Sequence, residues 1–397
     1  MLDALQQRFF RVGWLMPVIF PLAEIGGRGL FNSLAGIYVL WGAMALVRSR
    51  PVMDRAAGLS YGLLLLAFLL SAVQAADAGA VLKDWARYAL HTLAFVFTLA
   101  ALQRNGQGMA ILFNAYGKAA LATLAVVYAL LPWQVTQDDF NPTGYLREDN
   151  LPFLAPFLLY WVMRKVPPRW RWPSLVLAGT ALLVYVAASQ GRAALLGLLV
   201  AGGIATWLLA GRGRWKIFLA GAIVAALAVM ANPDRFSRGI LHEDAANKGS
   251  WVEMLDRFSS FRISIWRTAI EHPPESLWTG IGMGQVKHSA TGEGLEQFVA
   301  RHFHNFLLDC WYETGFIGLA ALLLFVGLGF VRGVKVWHES QGEPAIQSVL
   351  LLVSAAALVA AALLSFSYTS RQFSLYLFVL LAAMHHLYYQ RHAGAKE

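Results

Sequence analysis

Charge and cysteine are both scarce in this chain of 397 residues. Only 14% of the residues are charged, 58% are hydrophobic, and the mean hydropathy is +0.52. A soluble protein usually carries about 25% charged residues, so a water-soluble globular domain is excluded. The single cysteine, Cys310, rules out an intramolecular disulfide, and the fold needs no oxidative staple. There is no His-Glu-x-x-His, no paired Cys-x-x-Cys and no carboxylate cluster at metal-ligand spacing, which argues against a metal site. Asp-x-Asp is also missing, which argues against a metal-dependent glycosyltransferase using nucleotide sugars. The apolar runs do not alternate with period two, which argues against a β-barrel as well.

What is present is apolar sequence in runs long enough to cross a hydrocarbon layer of about 30 Å. The expected fold is an all-α, polytopic integral membrane protein with about twelve transmembrane helices. They are expected near 9–26, 30–47, 57–76, 85–103, 107–131, 150–165, 173–190, 192–211, 215–231, 303–332, 346–367 and 371–390. The polar N-terminus is followed by an apolar stretch without a small-residue cleavage site, which reads as a first span and not a signal peptide. No internal repeat is evident, so 1–397 is expected to be a single membrane domain.

Basic residues set the orientation. Arg48, Arg50, Arg55, Arg104, Arg164, Lys165, Arg169, Arg171, Arg212, Arg214, Lys216, Arg332 and Lys335 fall in loops on one side, with Arg8, Arg11, Arg391 and Lys396 at the termini. The short loops opposite hold only Arg28, Lys83, Arg87, Arg147, Arg192 and Arg371. Both termini are therefore expected in the cytoplasm, and the long segment 232–302 outside, as a cap between the ninth and tenth spans.

Within that loop, 251–270 has helical periodicity. Trp251, Leu255, Phe258, Ile265, Trp266 and Ala269 share one face, and steps of about 100° per residue place Arg262 at its centre. The helix is expected to lie along the membrane surface or cap the bundle. Pro273-Pro274 ends it, and Gly280-Ile281-Gly282-Met283-Gly284 reads as a compact turn. It follows no strand, which excludes a nucleotide-binding glycine loop.

The chain re-enters the membrane at Arg301-His302-Phe303-His304-Asn305. A neutral imidazole at that boundary can take a proton from a hydroxyl, and Asn305 can orient the ring or the hydroxyl. The competing reading of His304 is an interfacial histidine satisfied by a backbone carbonyl. His302 and His304 could share a metal only if the segment is extended. Glu313 is expected to tie this helix to a neighbour, and Gly315 and Gly318 to allow close helix packing. Arg87, Arg147, Arg192, Arg262, Arg267, Arg301 and Arg371 gather at external helix ends. Snorkelling explains many boundary arginines. Arg192, in the tight hairpin Ser189-Gln190-Gly191-Arg192, and Arg262, on an apolar face, fit better as phosphate ligands, and several together would hold a diphosphate. Lys118 lies mid-span without an assigned role, and His91 and Asn114 read as helix–helix glue.

In their order along the chain, Ser189-Gln190-Gly191-Arg192, Ser260-Phe261-Arg262 with Trp266, Pro274, Gly280-Ile281-Gly282, and His304-Asn305 with Glu313, Gly315, Gly318 and Leu319 resemble the O-antigen ligase family. That family shares a core with O-antigen polymerases and some protein O-oligosaccharyltransferases. The resemblance spans roughly 189–320. It implies transfer of a polysaccharide from undecaprenyl diphosphate to a sugar hydroxyl of the lipid A–core oligosaccharide. The reaction would occur at the periplasmic face of a bacterial inner membrane, without cofactor or metal. His304 would be the general base, Arg192 and Arg262 would grip the diphosphate, and Asn305, Arg267, Arg301, Arg147, Arg87 and Glu313 would support substrate binding. No nucleic-acid partner is expected. A polymerase would share the donor chemistry, a protein oligosaccharyltransferase tends to be longer, and a transporter would show inverted repeats.

Overall fold

The computed structural model describes residues 2–25, 27–47, 50–134, 151–189, 192–209, 256, 259, 262–286 and 302–393. Among them every regular element is helical. The order is α1 (Leu2–Arg11), a 3-10 stretch (Gly13–Ile19), α2 (Phe20–Ile25), α3 (Arg28–Leu46), α4 (Arg55–Leu70) with a 3-10 turn (Ser71–Gln74), and α5 (Ala78–Arg104). Then come α6 (Gly108–Gln134), α7 (Leu151–Lys165), α8 (Pro168–Ser189), α9 (Arg192–Leu209) and the short α10 (Arg262–Glu271). The chain closes with α11 (Phe306–Glu339), α12 (Glu343–Ala362) and α13 (Arg371–Ala393).

Six helical stretches among the described residues are long and apolar enough to cross a membrane: Gly29–Leu46, Arg55–Gln74, Ala78–Arg104, Gly108–Ala129, Phe306–Glu339 and Glu343–Ala362. Helices α7, α8, α9 and α13 occupy the sixth, seventh, eighth and twelfth expected spans but are shorter or less apolar. The expected first span, 9–26, is not one helix. Pro17 lies in the 3-10 stretch and Pro21 in α2, and each lacks the N–H that a continuous α-helix requires. The expected ninth span, 215–231, lies outside the described residues. Of the amphipathic helix expected at 251–270, the described helix runs from Arg262 to Glu271 and stops before Pro273-Pro274.

Helix starts are set by side-chain caps. Asp54 accepts from the Ala57 N–H at 3.0 Å to open α4, and Asp77 accepts from the Ala80 N–H at 2.9 Å to open α5. The Asp77 cap starts α5 at Ala78 and not at 85, so Lys83, Asp84 and Arg87 belong to a helix and not to a loop. Asn114 accepts from the Trp161 indole at 3.1 Å, joining α6 to α7 as helix–helix glue. Lys118 is exposed on α6.

Helix α13 runs through the interior, where every residue from Phe373 to Leu387 is buried. Its lower hydropathy is tolerable because its neighbours are protein. Phe325 of α11 packs with Phe95 of α5 at 5.1 Å and Phe378 of α13 at 5.5 Å, so three helices share one aromatic centre.

Helix α11 is broken at Gly315, whose φ is 65° and ψ −172°. The break frees backbone groups, and the turn from Leu277 to Gly282 satisfies them. Ile281 N–H donates to the Tyr312 carbonyl at 3.1 Å and Gly282 N–H to the Glu313 carbonyl at 2.9 Å. In return Phe316 and Ile317 N–H donate to the Leu277 and Trp278 carbonyls at 2.8 and 3.2 Å. A Cβ on Gly315 would strike the Trp278 carbonyl, and one on Gly280 the Glu313 backbone. Both glycines also hold positive φ, so neither position tolerates a side chain. Gly315 was expected to serve helix packing, and its role is instead this backbone dock. At the other end of α11, Arg332 is 4% exposed and hydrogen-bonds Asp54, while its Nη1 reaches the Tyr389 hydroxyl at 3.0 Å. This clasp ties α4, α11 and α13 together.

Two outcomes follow. Gly315→Ala should lose at least the about 1–3 kcal/mol of a strained backbone, seen as a lower melting temperature in detergent. Gly58→Ala, where a Cβ meets nothing within 4 Å, should not; equal losses would contradict the dock. Burial alone would raise the Asp54 pKa, but hydrogen bonds from Arg332 and the Ala57 N–H, and the Arg332 charge, hold it below the ordinary carboxylate range. Its stabilisation is therefore present above the ordinary pKa and disappears as pH falls through the depressed one. Asp54→Asn should be less stable at neutral pH and lose less additional stability below about pH 4. An unchanged acid limb would remove the clasp from the account.

Candidate active site

The segment before α11 is held by its backbone at one residue. Phe303 N–H donates to Asp309 Oδ1 at 2.7 Å, and its carbonyl accepts from the Trp266 indole of α10 at 3.0 Å. Its ring is 2% exposed and meets Tyr312 edge-on at 4.9 Å. With Ile265 and Ala269 of α10 and Val286, it forms a small apolar cluster that seats α10 on the start of α11. Asn305 then opens α11, its Oδ1 accepting from the Leu307 and Leu308 N–H at 3.0 and 3.2 Å. The residue expected to orient a substrate or an imidazole is thus occupied, through that oxygen, as a helix cap.

Between these anchors His304 sits at φ 56°, the one non-glycine with positive φ among the described residues. Left-handed backbone costs an ordinary residue roughly 1–2 kcal/mol, and such strain concentrates at functional positions. His304 N–H donates to His302 Nδ1 at 3.0 Å, and the two rings lie 4.2 Å apart. The His302 Nδ1 lone pair is therefore taken, leaving that ring in its Nε2–H tautomer. Asp309 Oδ2 lies 3.8 Å from the same Nδ1, too far for a hydrogen bond. The non-helical segment does bring the two rings together, but the nitrogen facing His304 already has its proton donor.

Next to His302 is a polar cavity of about 380 Å³. One wall comes from Gly284, His302 and Glu313; the other from Asn32 of α3, from Asp84, Arg87, Tyr88 and His91 of α5, and from residues 365–372, the link between α12 and α13 with the first two residues of α13. The N-terminal parts of α3, α11 and α13 and the first half of α5 meet here, so the cavity lies at the bundle end that the basic-residue pattern assigns to the outside. Glu313 is 5% exposed, its Oε2 accepting from the Tyr368 hydroxyl at 2.7 Å and its Oε1 from the Val286 N–H at 3.4 Å. It joins α11 to a neighbour as expected. Burial, with the Glu313 carboxylate beside it, pushes the Tyr368 hydroxyl well above the usual phenol range, so Tyr368 remains the donor. Arg87 pairs with Asp84 at 2.9 Å, and Arg371 hydrogen-bonds Asn32.

The other expected residues fall as follows. Arg262 is the half-buried first residue of α10, one turn before buried Ile265 and half-buried Trp266. Arg267 is exposed and pairs with Glu271 at 2.7 Å, away from the cavity lining. Arg192 starts α9, but its side chain lies outside the described residues, as do Arg147 and Arg301 entirely.

Residues 175–323 match the O-antigen ligase family model. The match contains the whole set of motifs that carried the resemblance, from Ser189 to Leu319, and it points to a function of the O-antigen ligase or polymerase type. It covers less than half of the chain, and no curated protein matches it. The α5 and 365–372 wall lies outside the matched stretch.

Three contributors escaped the sequence reading. Asp309 carried a signal, since a carboxylate inside an apolar span is costly without a purpose. The hydroxyl-rich run Ser365-Phe366-Ser367-Tyr368-Thr369-Ser370 between two apolar spans was a second. Phe303 offered none, because its two hydrogen bonds are made by its backbone and an apolar ring does not stand out in an apolar chain. The strain reading has a direct test: His304→Gly relieves the left-handed backbone, so its melting temperature should equal or exceed that of the wild type. A marked fall would show that His304 is held for packing.

Proposed function

We propose that the chain is an O-antigen ligase working at the external, periplasmic face of the bacterial inner membrane. It would move a polysaccharide from undecaprenyl diphosphate to a hydroxyl of the lipid A–core oligosaccharide. The observation that carries this reading is the strained His304, whose ring lies against His302; His302 lines a polar cavity at one end of an apolar bundle, and both histidines fall inside the stretch that matches the family model.

In the proposed step His304 takes the proton of the acceptor hydroxyl. The oxygen attacks the anomeric carbon, the new C–O bond forms as the bond to the diphosphate oxygen breaks, and undecaprenyl diphosphate leaves with the electron pair. One displacement inverts the anomeric configuration. Arg192 and Arg262 neutralise the charge that grows on the diphosphate, with Arg87, and with Arg301 and Arg147 which the charge pattern along the sequence also assigns to the outside, as further cations. The leaving group is good enough that neither a metal nor a nucleotide is required. Glu313 supports the site by holding Tyr368 and the Val286 backbone, and Asn305 by capping α11 beneath His304. Arg267, paired with Glu271, would have to leave that partner to reach substrate.

The test uses the purified full chain with lipid-linked polysaccharide and lipid A–core acceptor, with and without EDTA. The expected product is capped lipid A–core with inverted linkage, in undiminished yield with EDTA. His304→Ala and His304→Gly should each lose at least about a hundredfold in transfer, the usual worth of a general base. A lengthened lipid-linked chain would identify a polymerase instead, and full activity in either variant would remove His304 from the chemistry.

A further inference from the structure

The polar cavity has a neighbour. Gly284 lines the cavity, and the next residue, Gln285, lines a second cleft of about 870 Å³, so one stretch of chain separates the two. The cleft is bounded by Gln74, at the end of the 3-10 turn after α4, and by Glu275–Trp278, which lead into the turn docked on the α11 break. The two hollows differ in charge. Arg87, Arg371, His91 and His302 line the cavity beside Asp84 and Glu313, whereas Glu275 is the one charged side chain of the cleft among the described residues. A phosphate there, from a diphosphate or a lipid headgroup, would meet a carboxylate and no cation. The cleft therefore suits an uncharged ligand.

Trp278 is 67% exposed, yet it is held in place. Its carbonyl accepts from the Ile317 N–H at 3.2 Å, and its ring meets Phe316 at 6.1 Å. An indole displayed on a fixed backbone loses little freedom when a ligand covers it. Gln74 Oε1 accepts from the Thr279 hydroxyl at 2.9 Å, which leaves the amide N–H groups to donate elsewhere. Among the described residues, these N–H groups, the Glu275 carboxylate and the Trp278 indole N–H have no partner, and all three residues are exposed. The cleft thus combines a flat apolar ring with two donors and an acceptor that a ligand can reach. A sugar has the matching chemistry: a C–H face that buries against an aromatic ring, and hydroxyls that bond amide and carboxylate groups.

We propose that this cleft is a saccharide subsite, in which Trp278 stacks on a sugar ring and Glu275 and Gln74 bond its hydroxyls. The inference rests on the transfer reaction proposed above. A glycan of several units must continue beyond the one that reacts, and the cleft adjoins the cavity where the reaction is placed.

The test is steady-state transfer by the full chain in detergent, varying lipid-linked polysaccharide and lipid A–core separately. Alongside it, ligand-observed NMR measures binding of each glycan freed of lipid and phosphate. Trp278→Ala should raise one of the two KM values about tenfold, leave kcat within about twofold, and weaken the matching free glycan similarly. The substrate affected identifies the source of the sugar. Trp278→Tyr keeps a flat ring and should retain most of the affinity, and Glu275→Ala should share the Trp278→Ala defect. Trp172→Ala removes a tryptophan that is 76% exposed on the side assigned to the cytoplasm, and should change nothing. Unchanged KM values in the Trp278→Ala and Glu275→Ala variants, or a parallel rise in both, would overturn the subsite. So would a lowered donor KM in Glu275→Lys, which would mark the cleft as a phosphate site. Wild-type transfer with these negative results sinks the cleft alone. If the wild type transfers nothing, free-glycan binding that Trp278→Ala weakens still supports the cleft, and no binding sinks both.

Discussion

The site depends on a break in one helix. Helix α11 cannot pass Gly315 as a regular helix, and the carbonyls of Tyr312 and Glu313 and the N–H groups of Phe316 and Ile317 must find partners elsewhere. In a membrane protein that demand is strict, because hydrocarbon offers no hydrogen bonds. The Leu277–Gly282 turn meets it, and in doing so pins the segment that follows α10 onto the first part of α11. Glu313 is then placed against Tyr368, Val286 close to Phe303, and α10 over the start of the helix. A single exchange of backbone hydrogen bonds thus sets the depth of the turn, the seat of α10 and one wall of the cavity.

The residue two beyond His302, which lines that wall, is strained. Phe303 is fixed through both its N–H and its carbonyl, and Asn305 through its cap, so the chain between them has little choice of path. His304 takes up the misfit with a left-handed backbone. A glycine would relieve that strain, yet the chain carries an imidazole there.

Much of this was legible in the sequence. Apolar run length located most of the helices, the proline pair located the end of α10, and the glycine run was readable as a turn. The motifs from Ser189 to Leu319 marked the stretch that the family model matches. Other features depend on distance in space and left no periodic trace. Gly315 looked like a packing residue because spacing alone cannot reveal a carbonyl arriving from the 277–282 turn. The first span looked continuous because its hydropathy is, whereas Pro17 and Pro21 act through missing N–H groups. The α5 wall was hidden for a different reason: Arg87 and His91 are sequence-distant from His302 and Glu313, and only the packed bundle brings them to one cavity.

The account makes one end of the bundle catalytic, with His304, Glu313 and the α5 wall around a site for a lipid diphosphate and a saccharide. The most direct measurement is a structure of the full chain in a lipid nanodisc with a non-transferable polyprenyl diphosphate sugar bound. The account predicts the anomeric carbon within reach of His304 and the diphosphate beside Arg262 and Arg192. A diphosphate bound at the opposite end, near Arg332 and Asp54, would contradict it.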